Sequence, residues 1–273
     1  MKERRIYPIN SIPMKIFTWN VNSIRTRLER VLGVLERHQP DLLCLQETKV
    51  TDELFPHEAL AEVGYQAAVH GQKTYNGVAL LSREPLKDVV NGFDDNPAPE
   101  QARVISCNFG GIRVINAYVV NGKDLGTPHY ELKLRWLDAL SNWIEANHSP
   151  DQPLLLLGDF NIIPEDRDCW DAEYWDGRIL NSHPEKQALQ RLLDWGLHDL
   201  FRDHNTDDDQ FTWWDYRAGR FPRGHGLRID LTLGTDAVRK MCQSSEIDRD
   251  ERKKGKWEAK PSDHAPVLVT LES

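Results

Sequence analysis

The chain has few cysteines, and their positions do not suggest that they are joined. It contains four, and no two of them form a C-x-x-C pair. They are Cys44, Cys107, Cys169 and Cys242. A disulfide-stabilised domain or a thiolate zinc site would need more closely spaced cysteines. We therefore expect reduced, buried thiols and a cytoplasmic protein.

Long apolar runs are also absent. No stretch of about 18 apolar residues occurs, so neither a membrane-spanning helix nor a membrane partner is predicted. Residues 1–13 are polar and lack the apolar segment of a secretory signal, and we interpret them as an N-terminal extension. No flexible linker or change of composition divides the remainder, which predicts a single domain over residues 14–273.

The chain lacks the excess of positive charge that is common in nucleic-acid-binding proteins. It has 34 Lys and Arg against 43 Asp and Glu, which gives a formal net charge of −9. This balance argues against a nucleic-acid partner. An acidic protein can still bind nucleic acid if a divalent cation and a local basic patch offset the negative charge of the carboxylates in its site.

The apolar patterns predict a mixture of strands and helices. Residues 15–22 alternate as in a strand, and apolar residues at helical spacing predict a helix over 26–39, ending before Pro40. Further helices are predicted over 130–147 and 185–195, and further strands over 41–45, 78–82, 113–120, 154–157, 211–216, 229–233 and 267–271. This mixture predicts two sheets packed face to face, with helices outside.

Acids, amides and one histidine lie at or near the ends of the predicted strands. They are Asn20, Asn22, Glu47, Asp159, Asn161, Asp230, Asp263 and His264. Because strands end along shared sheet edges, we expect these groups to converge on one cleft. Hard oxygen ligands, without Cys or His spacing for zinc, suit Mg²⁺ or Mn²⁺. Such a set can neutralise a phosphodiester, orient a water and stabilise the leaving oxygen.

Each feature taken alone also has a structural explanation. Glu47 could accept a hydrogen bond at a helix N-terminus, residues 158–161 could form a turn, and Tyr118 could be a core residue. Asp230 lies in an apolar strand and needs a partner, because burial of a lone carboxylate is costly. His264 is the natural partner, in a pair that is either catalytic or structural.

Eight segments resemble, in the same order, the motifs of the exonuclease III family of abasic-site endonucleases, within the endonuclease/exonuclease/phosphatase superfamily. They are residues 19–25, 45–49, 76–79, 116–122, 158–161, 211–217, 227–230 and 262–264. Any one is weak evidence, but eight in the family order are specific. The resemblance implies an α/β fold, the four-layer α/β sandwich, with two packed, mostly antiparallel sheets flanked by helices.

The resemblance also implies a metal centre. Glu47 would bind the metal, Mg²⁺ with Mn²⁺ as a substitute, with Asn20 and Asn22 close by. Asp263 matches a carboxylate of the metal region. Some members of the family have an aspartate at the position of Asn22. Because asparagine is uncharged, one fewer negative charge is available to bind a second metal ion.

The remaining catalytic assignments follow from the same resemblance. Asp159 would orient or deprotonate the attacking water, and Asn161 would hold that water or a phosphate oxygen. His264, oriented by Asp230, would contact the scissile phosphate, with Tyr118 beside it.

Substrate recognition is assigned to five residues. By the same resemblance, Trp213, Leu227 and Ile229 match positions that form an apolar pocket for a flipped, baseless sugar, which a normal nucleotide cannot enter. Asn121 and Arg228 are added to this set. A basic patch that could grip phosphates would include Arg217, Arg220, Arg223 and Arg228, although a solvated basic loop is the alternative. We assign no role to the lysines of residues 253–256.

The implied function is metal-dependent hydrolysis of DNA phosphodiesters 5′ to abasic sites, in base excision repair. The same centre would act as a 3′-5′ exonuclease and 3′-phosphatase on double-stranded DNA with abasic sites or damaged 3′ ends, as a monomer. Two alternatives remain open. One is a phosphatase or phosphodiesterase of the same fold that acts on a lipid or small-molecule phosphate. The other is a non-catalytic DNA-binding module, which would be expected to lack a site carboxylate or His264.

Overall fold

The computed structural model describes residues 13–255 and 257–272. The predicted N-terminal extension lies outside these ranges, apart from Pro13. The strands are β1 (Met14–Asn20), β2 (Leu42–Gln46), β3 (Gln66–His70), β4 (Val78–Ser82), β5 (Lys87–Asn91), β6 (Val104–Phe109), β7 (Ile112–Tyr118), β8 (Leu154–Asp159), β9 (Leu197–Asp199), β10 (Asp230–Thr235), β11 (Cys242–Ile247) and β12 (Val267–Leu271). The α-helices are α1 (Ile24–His38), α2 (His57–Glu62), α3 (Pro128–Asn147), α4 (Ala172–Trp175), α5 (His183–Asp194), α6 (Leu200–His204) and α7 (Asp236–Met241).

Capping residues decide where the long helices begin and end. The Thr127 side chain accepts a hydrogen bond from the Tyr130 amide at the start of α3. Ser182 and Glu185 form a capping box at the start of α5. Helix α1 ends because Gln39 adopts a left-handed conformation and a proline follows.

Two six-stranded sheets carry the fold. The strand order is β11-β12-β1-β2-β4-β3 in the first and β5-β6-β7-β8-β10-β9 in the second. The pairs β1–β2 and β7–β8 are parallel and are connected through α1 and α3, while the other pairs are antiparallel. Each sheet therefore has one central parallel pair, whose two carboxyl ends lie side by side.

The core has the four layers that the sequence predicted. Side chains of both sheets pack between them, including Ile16, Leu42 and Leu80 with Ile105, Val114 and Leu157. Helices α1 and α2 cover the outer face of the first sheet, and α3 and α5 cover the outer face of the second. Among the described residues, no helix combines the length and apolarity that crossing a membrane requires.

The strand predicted over residues 211–216 is wrong. Trp213 forms only isolated bridges, to Leu227 and His264. Phe211 and Trp214 are buried in a small cluster of their own rather than in a sheet. The apolar residues of this segment pack a loop and not a strand, and the sequence pattern is the same in the two cases. Strands β3, β5, β6, β9 and β11 were not predicted.

Candidate active site

The ends of three strands bring two carboxylates and one amide to a single point. Asn20 ends β1, Glu47 directly follows β2, and Asp159 ends β8. The Asn20 side-chain amide donates to Glu47 Oε1 and to Asp159 Oδ2, both at 2.8 Å. Because β1 and β2 belong to the first sheet and β8 to the second, one side chain joins the sheets at this point.

His264 lies against this group. Its Nδ1 is 2.8 and 3.1 Å from the two carboxylate oxygens of Asp230, and its Nε2 is 3.8 Å from Asp159 Oδ2. Single ligand atoms of Glu47, Asp159 and His264 all lie within 4.8 Å of one another. The structure thus brings together the strand-end residues that the sequence analysis expected to converge.

Three of the site residues have a left-handed backbone. The φ angles of Asn22, Glu47 and Asn161 are 44°, 52° and 51°. Residues other than glycine adopt this region rarely, and doing so costs energy. The surrounding contacts therefore hold the backbone in place while these side chains point into the site.

Gly158 allows β8 to reach the site. Its φ is 137°, and an added Cβ would lie 1.9 Å from the carbonyl oxygen of Ala117 on the neighbouring strand. Only glycine fits a position with this conformation and this approach of the adjacent backbone. The close pairing of β7 and β8 directly before Asp159 depends on it.

Charge and burial set the protonation of the central pair. Burial raises the pKa of Asp159 to about 7, with Asp230 and Glu47 adding to the rise and His264 opposing it. Burial alone would lower the pKa of His264, but the Asp230 and Asp159 carboxylates outweigh it and raise the pKa to about 10. At neutral pH an imidazolium therefore lies beside a carboxyl group that can exchange a proton.

Lys49 stabilises the charge of Glu47. Burial opposes ionisation of Glu47, but the Lys49 ammonium and the Asn20 amide outweigh it and lower the pKa of this carboxyl group. Lys49 Nζ lies 2.7 Å from Glu47 Oε2 and 2.6 Å from Asn22 Oδ1. It therefore connects the carboxylate of β2 with the loop after β1.

Asp263 lies beside the central group and not within the cluster that Glu47, Asp159 and His264 form. Its Oδ1 accepts a hydrogen bond from Asn22 Nδ2 at 3.0 Å, and its Oδ2 accepts one from Trp213 Nε1 at 3.1 Å. Burial opposes its charge, but the neighbouring His264 charge and these two donors outweigh it and lower the pKa. Both oxygens of Asp263 thus have protein partners.

Tyr118 lies at the end of β7, beside the same group. Burial raises its pKa well above the usual value, and the charges of Glu47 and Asp159 raise it further. The Arg103 guanidinium stacks over its ring, 4.7 Å from the centroid. The phenol therefore stays protonated and can donate a hydrogen bond.

A buried lysine, which was not predicted from the sequence, lies beneath Asn161. Lys133 of α3 is fully buried, and its Nζ donates to the carbonyl oxygens of Asn161 at 2.6 Å and Asn121 at 3.3 Å. It also forms an ion pair with Glu185. The Asn121 amide in turn donates to Asn161 Oδ1 at 2.8 Å. Lys133 follows Tyr130 at i+3 on the apolar stripe of α3, and this position was the available signal.

Only one of the three predicted pocket residues presents a partly exposed surface. Trp213, Leu227 and Ile229 share an apolar cluster next to the site. Leu227 is 0% and Ile229 is 2% exposed, so both support the cluster from inside. Trp213 is half-buried and is fixed by its hydrogen bond to Asp263.

The assignment of Arg228 to substrate binding is wrong, because its side chain is 0% exposed. Its Nε lies 2.6 Å from Asp168 Oδ1, and its Nη2 lies 2.7 Å from Asp199 Oδ2. Arg228 is a structural ion-pair partner inside the protein. Of the predicted basic patch, Arg217 and Arg223 remain exposed and Arg220 is partly buried.

The donor set fits a hard divalent cation. Glu47 and Asp159 offer carboxylate oxygens, His264 offers one ring nitrogen, and Asn20 adds an amide beside them, so oxygen donors predominate. The cluster formed by the described residues contains no thiolate. Oxygen donors of this kind suit Mg²⁺ or Mn²⁺ better than they suit zinc.

Comparison with known proteins identifies the class. The model of the Endonuclease/Exonuclease/phosphatase family matches residues 17–264, and the chain belongs to this family. More particularly, it is 36% identical over 271 residues to exodeoxyribonuclease III of Haemophilus influenzae, covering 95% of this chain and 100% of that protein. The predicted resemblance to the exonuclease III family and the prediction of a hydrolytic nuclease are confirmed.

Two solved structures agree with this fold. A 3′-5′ exonuclease (NExo) from Neisseria meningitidis is 42% identical, with a TM-score of 0.89. An AP endonuclease from Archaeoglobus fulgidus is 33% identical, with a TM-score of 0.90. In both comparisons the match covers 95% of this chain and 100% of the other. The predicted four-layer α/β sandwich is confirmed.

Proposed function

We propose that the chain hydrolyses DNA phosphodiesters 5′ to abasic sites, and that the same centre removes 3′ phosphates and 3′ nucleotides from duplex ends. The observation that carries this proposal is the meeting of Glu47, Asp159 and His264 within 4.8 Å. The relatives support DNA as the substrate: one is named exodeoxyribonuclease III, and a Neisseria 3′ phosphatase is described as bound to a product DNA hairpin. The active form is a monomer.

Asp159 accepts a proton from the attacking water. Its Oδ1 accepts a hydrogen bond from the backbone N–H of Asn161 at 3.0 Å, and its Oδ2 accepts one from the Asn20 side chain at 2.8 Å, so the carboxylate cannot rotate freely. A pKa of about 7 suits a group that must take up and release a proton near neutral pH. The Asn161 side chain, held by Asn121, orients the water or a phosphate oxygen.

His264 and Tyr118 donate to the phosphate. Asp230 occupies Nδ1 of His264, which leaves Nε2 free to face a phosphate oxygen. The Tyr118 phenol stays protonated and supplies a second donor. Preorganised donors of this kind stabilise the negative charge that grows on the phosphate in the transition state.

Mg²⁺ is the proposed cofactor, with Mn²⁺ as a substitute. Glu47 and Asn20, with Asn22 and Asp263 alongside, are the residues that would hold it. When bound, the ion supplies positive charge at the phosphate and at the leaving oxygen. Lys49 keeps the Glu47 carboxylate ionised and therefore ready to coordinate a cation.

In the proposed complex, the baseless sugar of an abasic site packs against Trp213. Its indole is fixed by Asp263, and the buried side chains of Leu227 and Ile229 support the cluster behind it. A sugar without a base can pack against this surface. A nucleotide that still carries its base needs additional space for that base before its sugar can do the same.

The test compares hydrolysis of an abasic duplex, a nicked duplex with a 3′ phosphate, and a blunt duplex. Each is assayed with Mg²⁺ and with a chelator, and a phosphoinositide serves as the non-nucleic-acid substrate. We expect metal-dependent cleavage of the DNA substrates and none of the lipid. Asp159→Asn should lower kcat by roughly 10²–10⁴, because it removes the proton acceptor while keeping the shape of the side chain.

The matched control is Asp138→Asn, an exposed carboxylate on the outer helix α3. It should hydrolyse all three DNA substrates at the wild-type rate. Near-full turnover by Asp159→Asn, or unchanged rates in chelator, would refute the proposed chemistry.

A further inference from the structure

A groove distinct from the catalytic cluster lies between α1 and two loops. Its volume is about 1020 Å³. Its walls are Arg27 and Arg30 of α1, a first loop within residues 215–222 and a second loop formed by residues 252–255 and 257–261. We call this the basic groove. The proposed chemistry uses none of the residues that line it.

The groove is rich in basic side chains on a chain whose net charge is −9. Seven of its described lining residues are Lys or Arg, against two acids, Asp215 and Glu258. Three of the seven, Arg27, Arg30 and Arg252, are buried, and Arg30 pairs with the buried Glu251, so the positive surface comes from the exposed lysines and Arg220. Lys253, Lys254 and Lys260 are exposed. Lys253 pairs with Asp250 at 2.6 Å, while neither Lys254 nor Lys260 forms an ion pair with any described residue. Such a concentration of charge attracts a polyanion.

Aromatic side chains line the same groove. Tyr216 is 48% exposed, and Phe221 and Trp257 are partly buried beside it. Cations combined with exposed aromatic rings are typical of surfaces that bind unpaired nucleotides, because bases stack on the rings while the cations contact phosphates. A duplex keeps its bases stacked inside and offers only its backbone to such rings. The composition therefore favours a single strand.

Buried contacts hold the second loop in a fixed position. The buried Arg30 guanidinium donates to the carbonyl oxygens of Glu251 at 2.8 Å, Lys253 at 3.1 Å and Ala259 at 2.7 Å. The Trp257 ring packs directly on α1, where a Cβ at Gly33 would lie 2.2 Å from it. A fixed loop can bind a ligand without first losing conformational entropy.

The groove adjoins the catalytic cluster along the chain and through hydrogen bonds. Pro261 lines the groove and is followed by Ser262, Asp263 and His264. The Arg27 guanidinium donates to the Tyr216 hydroxyl at 2.7 Å and to the Asn22 carbonyl oxygen at 2.5 Å. A strand leaving the cluster past Asn22 would enter the groove.

We infer that the basic groove binds an unpaired segment of the nucleic-acid substrate, next to the phosphodiester that is cleaved. This inference rests on the proposed function. It assigns a role to Lys253 and Lys254, which had none from the sequence.

A binding experiment tests the groove without turnover. The probe is a fluorescein-labelled oligothymidylate of about twelve nucleotides, within the range that single-strand-binding folds cover. Its anisotropy is followed against protein concentration in chelator, at several salt concentrations. The double variant Lys254→Gln/Lys260→Gln should bind several-fold more weakly. Its plot of log K against log salt should be less steep by about 1.4, for two lost phosphate contacts on a single strand.

A matched double variant controls for net charge. Lys87→Gln/Lys240→Gln makes the same change at exposed positions on β5 and α7, and should bind the probe like the wild type. All four substitutions are at exposed positions, and thermal unfolding of both variants is measured to check that they are folded. If the two variants weaken probe binding equally, the inference is overturned. It is also overturned if Lys254→Gln/Lys260→Gln, the groove variant, binds the probe like the wild type.

Hydrolysis rates distinguish whether the basic groove binds an unpaired strand or a duplex. The rates compared are those on a blunt duplex and on a recessed 3′ end with a 5′ overhang of about ten nucleotides, a length within the same single-strand range. The groove variant should lower kcat/KM several-fold on the overhang substrate and leave the blunt duplex unchanged. An equal loss on both would identify a duplex contact and refute the inference. If no DNA is hydrolysed at all, the proposed function fails, while the chelator experiment still decides whether the groove binds a strand.

Discussion

Replacing Arg228 by glutamine should destabilise the protein without removing a substrate contact. The Arg228 side chain is completely buried, and it donates to Asp168 at 2.6 and 2.9 Å and to Asp199 at 2.7 Å. Loss of one partner from a buried ion pair costs about 3–5 kcal/mol, because the remaining charge stays buried without compensation. Arg202 still pairs with Asp168 after the change, so we expect a loss of about 3 kcal/mol in the free energy of unfolding, at the low end of that range.

This loss is large on the scale of protein stability. Folded domains have free energies of unfolding of about 5–15 kcal/mol. For a chain of this size, a loss of about 3 kcal/mol corresponds to a fall in Tm of about 6–12 °C. The assay is urea unfolding followed by circular dichroism, together with DNA affinity measured in chelator below the unfolding transition.

Arg223→Gln is the matched control. Arg223 is an exposed arginine in the neighbouring loop, so its replacement should leave the urea midpoint unchanged. The reasoning about Arg228 is refuted if Arg228→Gln unfolds at the wild-type urea concentration but binds DNA more weakly, as a phosphate contact would.

Two further predictions concern buried carboxylates. Asp230→Asn should lower kcat by roughly 10²–10⁴, and the alkaline limb of the pH–rate profile should move to lower pH, because Asp230 helps to raise the pKa of His264 to about 10. An unchanged alkaline limb would show that Asp230 does not maintain the imidazolium. Burial opposes the charge of Asp168, but Arg228 and Arg202 outweigh it and lower its pKa, so its stabilising contribution is present above the unfolded-state pKa and is lost as pH falls through the lower folded value. Urea midpoints measured from pH 6 downward should therefore fall on the acid side of about pH 4 in the wild type, and this fall should be smaller in Arg228→Gln, because the pKa of Asp168 is then lowered less.

The central strands could be predicted from the sequence because burial on both faces leaves a clear apolar pattern. All residues of β2, β4, β8 and β10 are buried. The edge strands carry no such pattern: β5 is exposed at every position, and β11 is mostly polar. Their pairing depends on a neighbouring strand that the local sequence does not specify.

The main site could be predicted for a related reason. Strand ends meet at shared edges, so the polar residues at or near the ends of apolar runs, which include His264 before the last strand, indicated the cluster of Glu47, Asp159 and His264. The buried charges could not be predicted in the same way. Arg228 reads as a member of a basic surface until Asp168 and Asp199, which are distant in sequence, are seen to surround it. The position of Lys133 on the apolar stripe of α3 indicated burial, but its partner Glu185 lies on α5, distant in sequence.

The hydrogen bond between Asn20 and Asp159 joins the two sheets inside the site, and this has a consequence for how activity is lost. Asn20 comes from the first half of the sandwich and Asp159 from the second, and the amide of one contacts the carboxylate of the other. Neither half holds a complete set of reacting groups. If the two sheets shift or separate by a few ångströms, the reacting groups no longer meet, and no partial activity remains. Catalysis is therefore lost together with the packing of the two sheets.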